Sequence, residues 1–120
     1  MESPDVTWRV FGMYLLVLLL ILISSNASGQ IQVAQFNASW NSANEVAWVQ
    51  DLSDCKTISY IDISTQTKMA TKHKIVVIPT IIIFKDDVEV ARFQADLSFK
   101  MIATKEDVQE EIDNQLMSDF

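Results

Sequence analysis

The chain is short of the residues that make covalent cross-links and metal sites. Its 120 residues include one cysteine, Cys55, and one histidine, His73. A lone thiol cannot close an internal disulfide, so the fold must be stabilised by packing. No Asp, Glu or Cys stands at ligand spacing from His73, and no Ser–His–Asp or Cys–His set is evident. We therefore expect no metal, no other cofactor and no hydrolase chemistry.

Glycine, proline and positive charge are also scarce. The two Gly and two Pro exclude collagen-like and low-complexity disordered chains. The sequence contains nine Lys and Arg and 16 Asp and Glu, which gives a net charge of −7. No cluster of basic residues indicates a phosphate-binding surface. Nucleic acid is therefore not expected as a partner. The 49% of hydrophobic residues suffices for one core, and the length fits one domain.

The longest uncharged apolar run lies near the N-terminus, in residues 10–23, directly after Arg9. Small and polar residues follow, and Ala27-Ser28-Gly29 matches a cleavage site before Gln30. This layout is typical of a secretory signal peptide. As a helix, residues 10–23 would extend about 21 Å, which is shorter than the hydrocarbon core of about 30 Å.

A retained membrane anchor is the alternative, because no charged residue occurs between Val10 and Gly29. Either segment divides the chain into a leader, residues 1–29, and a domain, residues 30–120. The positive-inside tendency then places the domain outside the cytoplasm, in the periplasm or the extracellular space. A retained leader would associate with the membrane through residues 10–29.

Hydrophobic patterns predict four strands and three helices in the rest of the chain. Alternating or continuous apolar residues favour strands over 31–36, 56–63, 80–84 and 88–93. Helical spacing favours a helix that begins at Asn41 or Ser42 and ends near Ser53, a second over 65–74, and a last helix that begins at Thr104 and includes Leu116. The order β-α-β-α-β-β-α implies that the first two strands are parallel and that the last two form an antiparallel hairpin. We predict an α/β fold with a four-stranded mixed sheet covered by helices.

Local signals refine the ends of these elements. Ser42 with Glu45 makes a capping box for the first helix, whose apolar face is Val46, Val49 and Leu52. Thr104 with Asp107 can cap the last helix. Pro79 lacks an N–H and belongs at the beginning of the third strand, which should be central and buried on both faces.

Two motifs in this order resemble the thioredoxin family. Phe36-Asn37-Ala38-Ser39-Trp40 is similar to the strand that leads into that family's active-site helix. Ile78-Pro79-Thr80, about 39 residues later, is similar to its cis-proline loop. The resemblance covers residues 31–117 and omits the strand and helix with which full thioredoxins begin. It implies a minimal thioredoxin-like fold with a cis peptide bond between Ile78 and Pro79.

The chain departs from the family where the chemistry should be. The resemblance places Asn41-Ser42-Ala43-Asn44 where the family has Cys-x-x-Cys, so neither thiol is present. Gln35 stands at the position of the buried acid that serves as proton acceptor. Inherited dithiol exchange is therefore not expected, and a binding role is favoured over enzyme activity.

What remains of the family's site is its peptide-receiving groove. The resemblance assigns this groove to Trp40, Asn41, Ala43, Asn44, Ile78 and Pro79. The domain would then act as an exported accessory module for an unidentified protein or peptide partner, and Ile78 would offer backbone hydrogen bonds. The simpler interpretation is that Trp40 only packs over a helix start and that Pro79 only shapes a turn.

Cys55 and His73 allow two interpretations each. In the rival function, Cys55 is a reactive thiol of a thiol–disulfide oxidoreductase, acting alone or with a partner's cysteine. We favour instead a small half-buried residue at the entrance of the second strand. For His73 we expect a surface residue at a helix end.

The leader can be tested by mass spectrometry of envelope material. Cleavage would give a chain that begins at Gln30, in part cyclised to pyroglutamate. Full-length protein that resists carbonate extraction would establish the anchor instead, and recovery from the cytosol would contradict both.

Overall fold

The computed structural model describes residues 29–118, so the predicted signal peptide or anchor lies outside the described residues. The strands are β1 Ile31–Asn37, β2 Thr57–Asp62, β3 Thr80–Lys85 and β4 Val88–Gln94. The α-helices are α1 Thr67–Lys72 and α2 Lys105–Met117, and two 3-10 helices span Ser39–Asn44 and Ala47–Asp51. Within the described range, no helix is both long and apolar enough to cross a membrane.

The four strands form one mixed sheet in the order β2-β1-β3-β4. β1 pairs in parallel with β2 and antiparallel with β3, and β3 pairs antiparallel with β4. The α/β class, the parallel first pair and the closing hairpin are confirmed. This arrangement leaves β2 and β4 as the two edge strands among the described residues.

β3 is the strand whose burial organises the core. Ile81, Ile82 and Ile83 are fully buried, because layers of side chains cover both faces of the sheet. One core cluster combines Ile81 and Ile83 with residues of β1, the second 3-10 helix and α2. The second cluster places Ile82 with Ala34, Phe36 and Ile61, and α1 packs against it through Met69. The continuous apolar run predicted such a central strand.

The predicted first helix and its capping box are wrong. Two short 3-10 helices replace it, and the first has Ala38 as its N-cap, with no side-chain cap. Glu45 ends that helix, and Val46 is extended, with φ −87° and ψ 91°. The cause is the buried side chain of Gln35, which bonds both the N–H and the carbonyl of Val46. The predicted apolar face is nevertheless buried, at Val46, Val49 and Leu52.

Two acidic residues close the hairpin between β3 and β4. Asp86 and Asp87 have φ values of 51° and 68°, as a two-residue primed turn requires at both positions. The Asp86 carboxylate accepts hydrogen bonds from the backbone N–H groups of Gly29 and Gln30, at 3.1 and 3.2 Å. The turn therefore also holds the chain that enters β1.

α2 begins with the capping box that its sequence predicts. The Thr104 hydroxyl accepts from the Asp107 N–H at 3.2 Å, and the Asp107 carboxylate accepts from the Thr104 N–H at 2.8 Å. Val108 and Ile112 then point into the first core cluster. Because this helix covers much of one sheet face, its start should matter to the stability of the whole domain.

We expect Thr104→Ala to lower the free energy of unfolding by about 1 kcal/mol, since it removes the acceptor for the Asp107 N–H. In a domain of this size the melting temperature should fall by about 4–8 °C. Thr71→Ala is the matched control, because that exposed hydroxyl only donates to Thr67 O within α1. Calorimetry showing equal effects for the two variants would contradict the assigned role of the cap.

Candidate functional site

Trp40 stands at the carboxyl end of β1, where the chain turns into the first 3-10 helix. Its side chain is 65% exposed, although aromatic residues of this size are usually largely buried. The only ring beside it among the described residues is Phe99, with centroids 5.3 Å apart and planes at 90°. This edge-to-face contact fixes one side of the indole and leaves the other open to solvent.

Asparagine amides occupy the positions that the resemblance assigns to the two thiols. Asn44 Nδ2 donates to Asn41 Oδ1 at 2.9 Å, so a hydrogen bond links the two positions. Asn41 Nδ2 donates to Asn37 Oδ1 at 3.0 Å, and Asn37 Nδ2 donates to Asn41 O at 3.2 Å. Asn37 and Asn41 are buried. The network holds the first 3-10 helix to the end of β1 and contains no group that exchanges electrons.

Gln35 lies beneath this helix and is 2% exposed. Its Oε1 accepts from the Val46 N–H at 2.8 Å, and its Nε2 donates to Val46 O at 3.2 Å. A carboxylate could make only the first of these bonds, because it has no donor. The residue that the resemblance assigns to the family's proton-acceptor position is therefore a structural amide.

The proline loop borders the same end of the sheet. The Ile78–Pro79 bond is cis, the isomer that the resemblance implies, and both residues are buried. The Thr80 hydroxyl donates to Val77 O at 2.7 Å, and the Ala95 N–H donates to Pro79 O at 3.0 Å. Within residues 29–118, the N–H and carbonyl of Ile78 make no hydrogen bond.

A tight loop over residues 96–100 completes the site. The Asp96 carboxylate accepts from the Ser98 hydroxyl and from the N–H groups of Ser98 and Lys100. These bonds, those of Ser98 first, lower the pKa of Asp96. Phe99 takes a left-handed backbone, φ 65°, and its carbonyl accepts from Asn41 Nδ2 at 3.5 Å. The loop thereby carries Phe99 to the indole.

Sequence reasoning missed Asp96 and Phe99 as parts of the site. The Asp-x-Ser spacing at Asp96 indicates a turn, but nothing in it shows which residue the turn faces. Of the six predicted groove residues, Trp40, Asn41, Ala43 and Asn44 share the first 3-10 helix. Asn41 reaches the 96–100 loop directly, and that loop joins the proline segment through the Ala95–Pro79 bond.

Cys55 lies apart from this network, at the entrance of β2. It is half-buried, packs against the first core cluster and donates to Ser53 O at 3.5 Å. Burial, and secondarily the charge of Asp54, raises the pKa of the thiol. The expectation of a half-buried residue at a strand entrance agrees with this placement.

His73 lies at a helix end, as expected, but its side chain is half-buried rather than fully on the surface. Its ring lies between those of Phe36 and Phe84, with centroids 5.4 Å from each. Burial against these rings, and then the charge of Lys72, lowers the pKa of His73. Across residues 29–118, no three His, Cys, Asp or Glu side chains are grouped closely enough to hold a metal ion.

Comparison with solved structures shows a thioredoxin-like fold. A mutant thioredoxin from Halobacterium salinarum is similar at a TM-score of 0.58 and 17% identity, over 72% of this chain and 75% of that one. Thioredoxins from Nicotiana alata and Fasciola hepatica give TM-scores of 0.55 and 0.52. The first is 20% identical over 81% of this chain and 83% of its own, and the second 23% identical over 81% and 90%. No protein-family model and no curated protein matches the chain.

The role of Gln35 gives a pH-dependent prediction. In Gln35→Glu the buried carboxylate loses the bond to Val46 O, so we expect about 2 kcal/mol of destabilisation at pH 7. Burial raises the folded-state pKa of this Glu above the unfolded value of about 4.3, so the penalty should grow as pH rises through that window. At about pH 4 the protonated acid can donate to Val46 O, and stability relative to wild type should recover.

Gln35→Met is the control, because it has no titrating group and should be destabilised equally at both pH values. Urea unfolding at pH 4 and pH 7 measures the differences from wild type. A Gln35→Glu deficit that does not shrink in acid would contradict the reciprocal hydrogen-bond assignment.

Proposed function

We propose that residues 30–120 act as a redox-inactive, exported thioredoxin-like module that binds an extended segment of a partner protein. The observation that carries the proposal is the exposed Trp40, which contacts Phe99 at the same end of the sheet as Ile78, whose N–H and carbonyl make no hydrogen bond among residues 29–118. The binding surface, here called the groove, consists of Trp40, Asn41, Ala43, Asn44, Ile78 and Pro79, together with Phe99.

The first contribution to binding is apolar. Trp40 and Phe99 contact each other edge to face, and Leu97 in the same loop as Phe99 is 92% exposed. Tryptophan is enriched among residues that dominate interface energies, because it buries a large area with few rotatable bonds. Holding the indole in advance reduces the entropy that binding must overcome.

The second contribution to binding comes from backbone hydrogen bonds, which require a defined alignment of the peptide backbone. The unbonded N–H and carbonyl of Ile78 can pair with the backbone of an extended peptide, as in addition of a strand to a sheet edge. The two groups belong to one residue, so a peptide of either chain direction could use both. Side chains of the peptide would then meet Trp40.

Thiol chemistry has less support than binding. The positions assigned to the thiols carry a hydrogen-bonded Asn pair, and the raised pKa of Cys55 keeps it in the unreactive thiol form near neutral pH. The alternative function, an oxidoreductase that uses Cys55 alone or with a partner's cysteine, would need that thiol exposed and acidic. The leader supports export, with the domain released after cleavage or tethered by a retained anchor.

The groove can be tested with a displayed library of random 12-residue peptides and the full chain as bait. We expect enriched peptides to be apolar at their centre and to shift the NMR signals of the Trp40 indole and the Ile78 amide. Trp40→Ala should weaken binding by about 30-fold, as expected of a central aromatic anchor, and should leave the melting temperature almost unchanged.

Two variants serve as controls for the groove. Trp48→Ala should lower stability, because this residue packs against the first core cluster, while peptide affinity per folded molecule stays the same. Met117→Ala removes another exposed apolar side chain, on α2, and should change neither property. Peptides that bind Trp40→Ala as tightly as wild type would contradict the proposal.

The alternative function predicts turnover that depends on Cys55. We expect no reduction of insulin disulfides above background by wild type or by Cys55→Ala, and slow alkylation of Cys55 by iodoacetamide at pH 7. Reductase activity that disappears in Cys55→Ala would favour the oxidoreductase instead.

A further inference from the structure

β2 is an edge strand with few features that would prevent it from pairing with another strand. Within residues 29–118 it pairs only with β1, and its sequence from Thr57 to Ile61 contains no charge, proline or glycine. Exposed edges are usually protected by inward-facing charges, prolines, bulges or covering loops. Thr57, Ser59 and Tyr60 are exposed instead.

The parallel pairing with β1 determines which backbone groups of β2 face outward. The Ile63 N–H donates to Asn37 O, and by alternation the backbone of Ile61 and Ser59 also faces β1. The N–H and carbonyl groups of Ile58 and Tyr60 therefore point away from the sheet. An added antiparallel strand would exchange hydrogen bonds with these two residues.

We propose that β2 pairs antiparallel with β2 of a second copy about a two-fold axis at Ser59. In this register Ile58 faces Tyr60 of the other copy, so the outward backbone groups form two hydrogen-bonded pairs. Extended one residue before β2, the same register places Lys56 of each copy opposite Asp62 of the other. Lys56 itself lies outside the regular β2 ladder, because its N–H donates to Ile31 O at 2.7 Å. The two sheets would become one continuous eight-stranded sheet, and the interface uses no groove residue.

Charge complementarity favours this occupant and this register. Lys56 and Asp62 are the charged residues next to or at the ends of β2, and a two-fold axis at Ser59 brings unlike charges together twice. In the monomer the Lys56 ammonium bonds only a neutral partner among the described residues, Gln30 Oε1 at 2.9 Å, so its charge is unpaired. An axis at Ile58 would place Lys56 opposite Tyr60 and Asp62 opposite Asp54. An axis at Tyr60 would place them opposite Ser64 and Ile58, so neither register pairs unlike charges.

Cysteine cross-linking of the full chain, in a Cys55→Ala background, tests the register. Ser59→Cys places two thiols at a non-hydrogen-bonded pair, where Cα atoms are about 4.5 Å apart and a disulfide can form. Thr57→Cys is the matched control on the same face, because its two copies would be about 14 Å apart. We expect mild oxidation to give disulfide dimers with Ser59→Cys and almost none with Thr57→Cys.

Sedimentation of the full chain in mild detergent tests the energetics. Lys56→Glu should weaken dimerisation about tenfold, since it creates two like-charge pairs by symmetry. Lys68→Glu, on α1, changes the net charge by the same amount as Lys56→Glu and should leave the dimer intact. A monomeric wild type, Ser59→Cys cross-linking no better than Thr57→Cys, or equal effects of the two Glu variants would overturn the proposal. If the leader or another protein paired with β2 instead, the wild type would be monomeric or Ser59→Cys would cross-link no better than Thr57→Cys.

Discussion

The reciprocal hydrogen bonds between Gln35 and Val46 are the constraint on which the rest of the site depends. They join the middle of β1 to the junction of the two 3-10 helices and hold that junction extended. A continuous α-helix would need the Val46 N–H for its own ladder, so the amide and the helix compete for the same donor. The amide prevails because both of its polar atoms would otherwise be buried without partners.

The asparagine network depends on this junction. With the chain interrupted at Val46, residues 39–44 form a short separate turn, and Asn41 can lie buried against Asn37 while Asn44 reaches back to it. A disulfide between the same positions would open and close with the redox potential, whereas the amide pair has one covalent state. The positions that the resemblance assigns to the thiols are thus held by a fixed amide network in the same 3-10 helix as Trp40.

The sequence alone correctly predicted the parts of the fold that depend on hydrophobic periodicity and on the order of the strands and helices. The apolar run of β3, the hairpin and the cap at Thr104 are local patterns, and the parallel first pair follows from the connection between strands. The prediction of the first helix failed because its capping signal at Ser42 and Glu45 is local. The competing partner of Val46 is Gln35, which lies 11 residues away in the sequence. The contact between the 96–100 loop and Asn41 spans 58 residues, and a lone aromatic in a polar loop has no period that could reveal it.

Asp86 would affect the new N-terminus if the expected leader were cleaved. Its carboxylate already accepts from the backbone nitrogens of Gly29 and Gln30, the two residues on either side of the expected cleavage point. If a peptidase cut there, the Gly29 bond would disappear and the Gln30 nitrogen would become an ammonium group beside an anion. The new ion pair would contribute up to about 1 kcal/mol at this exposed position. Cyclisation to pyroglutamate would remove that charge again, so the chemistry of the new terminus would adjust how firmly the first strand is held to the hairpin.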